Sequence, residues 1–70
     1  MMPLTMAQRG ESNTIKKITG KDEARQHLAE LGFVVGERVT VVNQLGGNMI
    51  LNIKGSRVAL DKNLTNRIMV

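Results

Sequence analysis

The stretch Leu28-Ala29-Glu30-Leu31-Gly32-Phe33-Val34-Val35-Gly36-Glu37-Arg38-Val39-Thr40-Val41 decides the fold. Its first four residues finish a helical pattern, and its last four alternate with the period of a strand. Between them lie two glycines and Phe33, the only aromatic residue of the chain. Gly32 is expected to end the helix in a left-handed conformation, where any Cβ carries a steric cost. Gly36 then permits the bend into the next strand. Phe33 and one of the two valines should turn inward and pin the helix to the strands, a corner role that is favoured over contact with a ligand.

Upstream, residues 21–31 place Ala24, Leu28 and Leu31 at i, i+4 and i+7, one apolar face of a helix. Asp22 and Glu23 near its start suit the helix dipole. Residues 13–19 read as a first strand around Ile15 and Ile18, closed by Gly20. Residues 1–11 are expected to be the loosest part, although Leu4 and Met6 could pack on the strands.

Downstream, Gly46-Gly47-Asn48 is a turn signal between two strand-like runs and predicts a hairpin. Met49, Leu51 and Ile53 should face one way, and Ile50, Asn52 and Lys54 the other. Lys54-Gly55-Ser56 is a second tight turn, after which Val58 and Leu60 alternate with Arg57 and Ala59. Residues 61–64 suggest one helical turn, and residues 67–70 a last strand. Val42 and Leu45 fit the apolar phase of their strand less regularly. The pattern is mainly β, with five short strands and one helix after the first. Turns roughly every eight to ten residues point to a small antiparallel barrel or sandwich, whose closure would remove unpaired edges.

Length bounds this to one domain over residues 1–70. The absence of cysteine leaves no disulfide and no thiolate metal site. No apolar run approaches the ~20 residues of a membrane span, and the first residues lack a signal-peptide core. A cytoplasmic location is the expectation. The formal net charge of +4 comes from scattered cations, with only Lys16 and Lys17 adjacent, and this disfavours a nucleic-acid footprint.

Chemistry finds little support. Ser12 and Ser56 lie at loop or turn positions, the one histidine has no orienting partner, and Gly46-Gly47 lacks the Lys-Ser/Thr of a phosphate loop. The chain is therefore not expected to be an enzyme. Glu23, His27 and Glu30 share a helix face at i, i+4 and i+7 and are the candidate ligands for weak iron or zinc binding, although such residues more often form a solvated face. No other cofactor is indicated. A single aromatic residue excludes a groove for proline-rich peptides and a platform for stacked bases. An aliphatic surface suited to another protein remains, with Leu31, Val34 and Val35 as the candidate partner-binding side chains. Self-association through exposed strands or the helix flank is a further option for so small a core.

Taken in order, Leu28-x-x-Leu31-Gly32-Phe33-x-x-Gly36, the strand Arg38–Val41, a glycine turn, the run Met49–Gly55, Ala59-Leu60 and the ending Arg67–Val70 resemble the FeoA family of bacterial ferrous-iron uptake systems. Leu4, Gly10, Ile15 and Ile18 fit the same pattern. The resemblance implies an SH3-like barrel, with Leu28, Leu31, Gly32, Phe33, Gly36, Gly55 and Leu60 as architectural signature residues. It also implies a partner, the FeoB-type membrane iron permease with its GTP-binding domain. Family members often carry Pro at the positions of Val35 and Asn48, and small residues at those of Thr65 and Asn66. Two alternatives stay open: a small basic nucleic-acid-binding barrel, and a stand-alone relative of the SH3-like domain of iron-dependent repressors.

Overall fold

A computed structural model describes all residues, Met1–Val70. The quoted stretch forms a helix end, a tight turn and the start of a long strand. Helix α1 spans Asp22–Glu30 and is only nine residues long. Isolated helices this short are marginal in water, so its packing and its ends must hold it. Leu31 is the C-cap, and the N–H of Gly32 donates to Ala29 O at 3.0 Å while the N–H of Phe33 donates to Leu28 O at 2.9 Å. This is the paired bonding of a Schellman motif, and Gly32 supplies its positive φ of 103°. Phe33 and Leu28, the two positions that such an end brings together, are both fully buried. The chain then turns through Val34–Glu37, closed by Glu37 N–H to Val34 O at 3.1 Å, with Gly36 at φ 95° in the third position.

The strands are β1 (Ser12–Thr14), β2 (Lys17–Ile18), β3 (Arg38–Leu45), β4 (Asn48–Ile53), β5 (Ser56–Asp61) and β6 (Ile68–Met69), with a second short helix α2 at Lys62–Thr65. A four-stranded antiparallel sheet runs in the order β1-β3-β4-β5, and β2 pairs with β6 in a two-stranded one. The molecule is thus mainly β, with one substantial helix after the early strands. Two features differ from the sequence expectation. The first strand divides at Ile15-Lys16, so six strands form where five were expected. The reason is a change of partner: Ile15 N–H donates to Glu37 O at 2.8 Å, whereas Lys16 N–H donates to Met69 O at 2.8 Å. The barrel also stays open. β6 pairs with β2 and not with β5, because the chain leaves β5 through α2.

Both hairpins have two-residue loops. Leu45 and Asn48 flank Gly46-Gly47, and Ile53 and Ser56 flank Lys54-Gly55. Lys54 (φ 49°) and Gly55 (φ 78°) are both left-handed, the requirement of a type I′ turn. Lys54 is the only non-glycine residue with positive φ. The irregular phase around Val42 is a bulge, since the register with β4 shifts between Val41 and Asn43. Val41 therefore points inward, while Leu45 ends up exposed.

One cluster of 13 buried residues forms the core, drawn from every part of the chain. Val39 and Val41 from β3, Met49, Leu51 and Ile53 from β4, and Leu60 from β5 alternate inward. Residues 1–11 make backbone and side-chain contacts with the rest of the fold. Met2 and Val70 exchange backbone hydrogen bonds at 2.8 Å, Pro3 bridges to Met69, and a 3-10 helix at Leu4–Met6 inserts Leu4 into the core. Of the two N-terminal side chains that could pack on the strands, Leu4 is buried and Met6 is exposed. Below it, Asp61 caps α2 by accepting from Leu64 N–H at 2.8 Å, and the buried Thr65 hydroxyl donates to Asp61 O at 2.7 Å.

Candidate functional site

The helix, the turn after it and the β1–β2 crossing surround a groove of about 580 Å³. Each wall has a local cause. Asp22, Arg25, Gln26 and Ala29 line it from α1. Their spacing puts them on one face of the helix, turned away from the buried stripe that contains Leu28. Val34 and Val35 line the second wall, over the buried Phe33, presented by the turn that Gly36 makes possible. Lys16, Lys17 and Ile18 form the third, at the point where the first strand changes partner. The walls are linked by backbone bonds: Gly36 N–H donates to Ile15 O at 2.9 Å and Ile15 N–H to Glu37 O, which fixes the turn against the crossing.

Val35 stands at the tip of the turn, 64% exposed, Val34 is half-buried beside it, and Phe33 lies beneath them at 0% exposure. Ile18 and Ala29 add aliphatic surface from the other walls. The charges are unequal. Arg25 and Asp22 form an exposed pair at 3.6 Å, three residues apart on the helix, a geometry that contributes little to stability. Lys16 and Lys17 are both exposed and take part in no salt bridge. The rim thus holds three cations against one carboxylate. A wide, open groove with an aliphatic floor and a cationic rim suits side chains of another protein better than a small molecule, which needs enclosure and converging polar groups.

Of the partner-binding residues read from the sequence, Val34 and Val35 face this groove and Leu31 does not; Leu31 is half-buried against the core. Leu28, Phe33 and Leu60 are all core residues, and Gly32, Gly36 and Gly55 all have positive φ. The helix wall and the lysines were not identified as a site. Their only signal was the adjacency of Lys16 and Lys17. Glu23, His27 and Glu30 are all exposed, one residue round the helix from the groove face. No group of three or more His, Asp or Glu side chains converges to hold a metal ion anywhere in the chain. The Ser12 hydroxyl has a structural role, in the 2.7 Å contact of its Oγ with Thr40 Oγ1 across β1 and β3.

The FeoA domain model matches residues 2–70. A protein of Methanocaldococcus jannaschii, provisionally named Fe(2+) transport protein A, is 36% identical over all of this chain and 85% of its own length. A crystal structure of an iron uptake regulatory protein, FeoA, superposes with a TM-score of 0.89 at 30% identity, covering 96% of this chain and 89% of that one. The FeoA of Stenotrophomonas maltophilia, solved with zinc, superposes with a TM-score of 0.84 at 27% identity over 99% and 88% of the two chains. That protein is described as a procaryotic SH3 domain protein and a candidate ferrous iron transport activating factor. The open barrel described above is the same SH3-like fold. With the family domain matched along nearly its whole length, this chain belongs to the FeoA family, small non-enzymatic accessory proteins of Fe(2+) transport.

Proposed function

We propose that this chain acts in the cytoplasm as an accessory protein of ferrous-iron uptake, binding the cytosolic part of a FeoB-type membrane permease and modulating its assembly or GTPase-coupled activity. Ferrous iron is the cargo of that permease, and the chain's contribution is to bind the permease itself. The observation that carries this reading is the groove, where a family member without a converging ligand set presents Val35 and the half-buried Val34 on a turn held by backbone hydrogen bonds. The activating role suggested for the S. maltophilia relative agrees with it. No helix of the chain is long and apolar enough to cross a membrane, so it would meet the permease from the aqueous side.

A pull-down of the permease's cytosolic domain, and of full-length permease in membranes, tests the proposal with and without guanine nucleotide. Retention of the permease in at least one nucleotide state is expected. No association in any state, with either form, would refute it.

A further inference from the structure

The groove has a chemical preference that its aliphatic floor alone does not set. Lys16 and Lys17 arrive there because the first strand breaks at Ile15-Lys16 and hands its backbone from one sheet to the other. They share a rim with Arg25, whose partner Asp22 is a fully solvated carboxylate at 3.6 Å. The only other salt bridge in the molecule joins Lys54 and Glu37, which do not line the groove. Two cations are therefore left without an internal counter-charge beside Val34 and Val35.

From this juxtaposition we infer that the groove takes an acidic segment of a protein partner, one that places an aliphatic anchor against Val34 and Val35 and carboxylates against Lys16 and Lys17. The inference deepens the docking role proposed above and rests on it for the identity of the partner. Nucleic acid would satisfy the lysines but leave the aliphatic floor unused, and no aromatic face is exposed for a base to stack on, because Phe33 is buried. The floor and the rim together fit a peptide. Complementary charge at such a rim speeds association and selects partners, and its effect is screened as salt rises.

The test uses the full chain and a fluorescein-labelled synthetic peptide in which leucine is flanked by glutamates, a control with lysines in place of the glutamates, and a single-stranded oligonucleotide. Fluorescence anisotropy at low and moderate salt reads binding. At low salt the wild type should bind the acidic peptide, and the double variant K16E/K17E should weaken that binding by about tenfold or more, with most of the difference lost at moderate salt. Both lysines are exposed, so the variant should keep its circular dichroism spectrum and melting temperature. Equal binding by wild type and variant would overturn the inference, as would tighter binding of the lysine peptide or the oligonucleotide. The same two proteins are then offered the permease's cytosolic domain. Equal retention of both overturns the groove assignment and leaves the permease reading standing. Retention of neither, with the acidic peptide still bound only by the wild type, refutes the permease reading and leaves the inference standing.

Discussion

Truncating Phe33 to alanine should come close to unfolding the protein. The ring is completely buried at the junction of helix end and sheet, and its backbone N–H closes the last turn of α1. A phenylalanine buries about 150–250 Å². At about 25 cal/mol per Å² of apolar surface this is about 4–6 kcal/mol of burial. Alanine keeps part of that, so the expected loss is about 3–5 kcal/mol, the usual range for a buried Phe→Ala change. A domain of this length has about 3.5–10 kcal/mol in total. Phe33→Ala should therefore lower the melting temperature by tens of degrees, at about 4–8 °C per kcal/mol. Phe33→Leu, which keeps most of the volume, should cost less than about 1.5 kcal/mol. The chain has no Trp or Tyr, so urea and thermal unfolding are best followed by far-ultraviolet circular dichroism. A loss below about 1 kcal/mol for Phe33→Ala, with partner binding abolished, would refute the corner role and make the ring a contact residue.

Four further outcomes are expected. Gly32→Ala should destabilise by about 1–2 kcal/mol through its positive φ, because the new Cβ would meet Ile53 and Lys54 only at ordinary contact distances of 3.5 and 3.6 Å; unchanged urea unfolding would contradict this. Lys54→Asn should stabilise by up to about 1 kcal/mol in the type I′ turn, since the ion pair that it gives up with Glu37, 3.7 Å and exposed, is worth little; a lower urea midpoint would count against it. Asp61→Ala removes the cap of α2 and should cost about 1 kcal/mol in the same assay. His27→Ala should leave the melting temperature within about 1 °C, and dialysis against zinc should find the same metal content as in the wild type; a loss of stoichiometric zinc would establish the helix face as a metal site.

How much could be read from the sequence depended on how local the cause was. Gly32, Gly46, Lys54-Gly55 and the alternation of Met49, Leu51 and Ile53 act within a few residues, and those elements lie where the sequence puts them. The break in the first strand is different. Ile15 and Ile18 around two lysines read as one strand, and the exchange of partners there depends on Glu37 and Met69, more than twenty and fifty residues away. The packing of the N-terminus has the same origin, since Met2 pairs with Val70 at the far end of the chain. The groove combines both kinds of information. Val34 and Val35 could be picked out because two valines beside a helix end need an explanation. The helix wall could not, because Asp22, Arg25, Gln26 and Ala29 look like any solvated helix face until the crossing segment is folded beside them.

Docking of the permease through the groove is the step proposed for this chain. The most direct measurement is an equilibrium titration of full-length permease in lipid nanodiscs with wild type and Val35→Asp, in the nucleotide state that favours binding. Val35 is 64% exposed, so the variant should fold with a stability within about 0.5 kcal/mol of wild type. Binding of the wild type and at least tenfold weaker binding of the folded variant, about 1.4 kcal/mol, is the predicted result. Equal affinities for the two proteins would contradict the account.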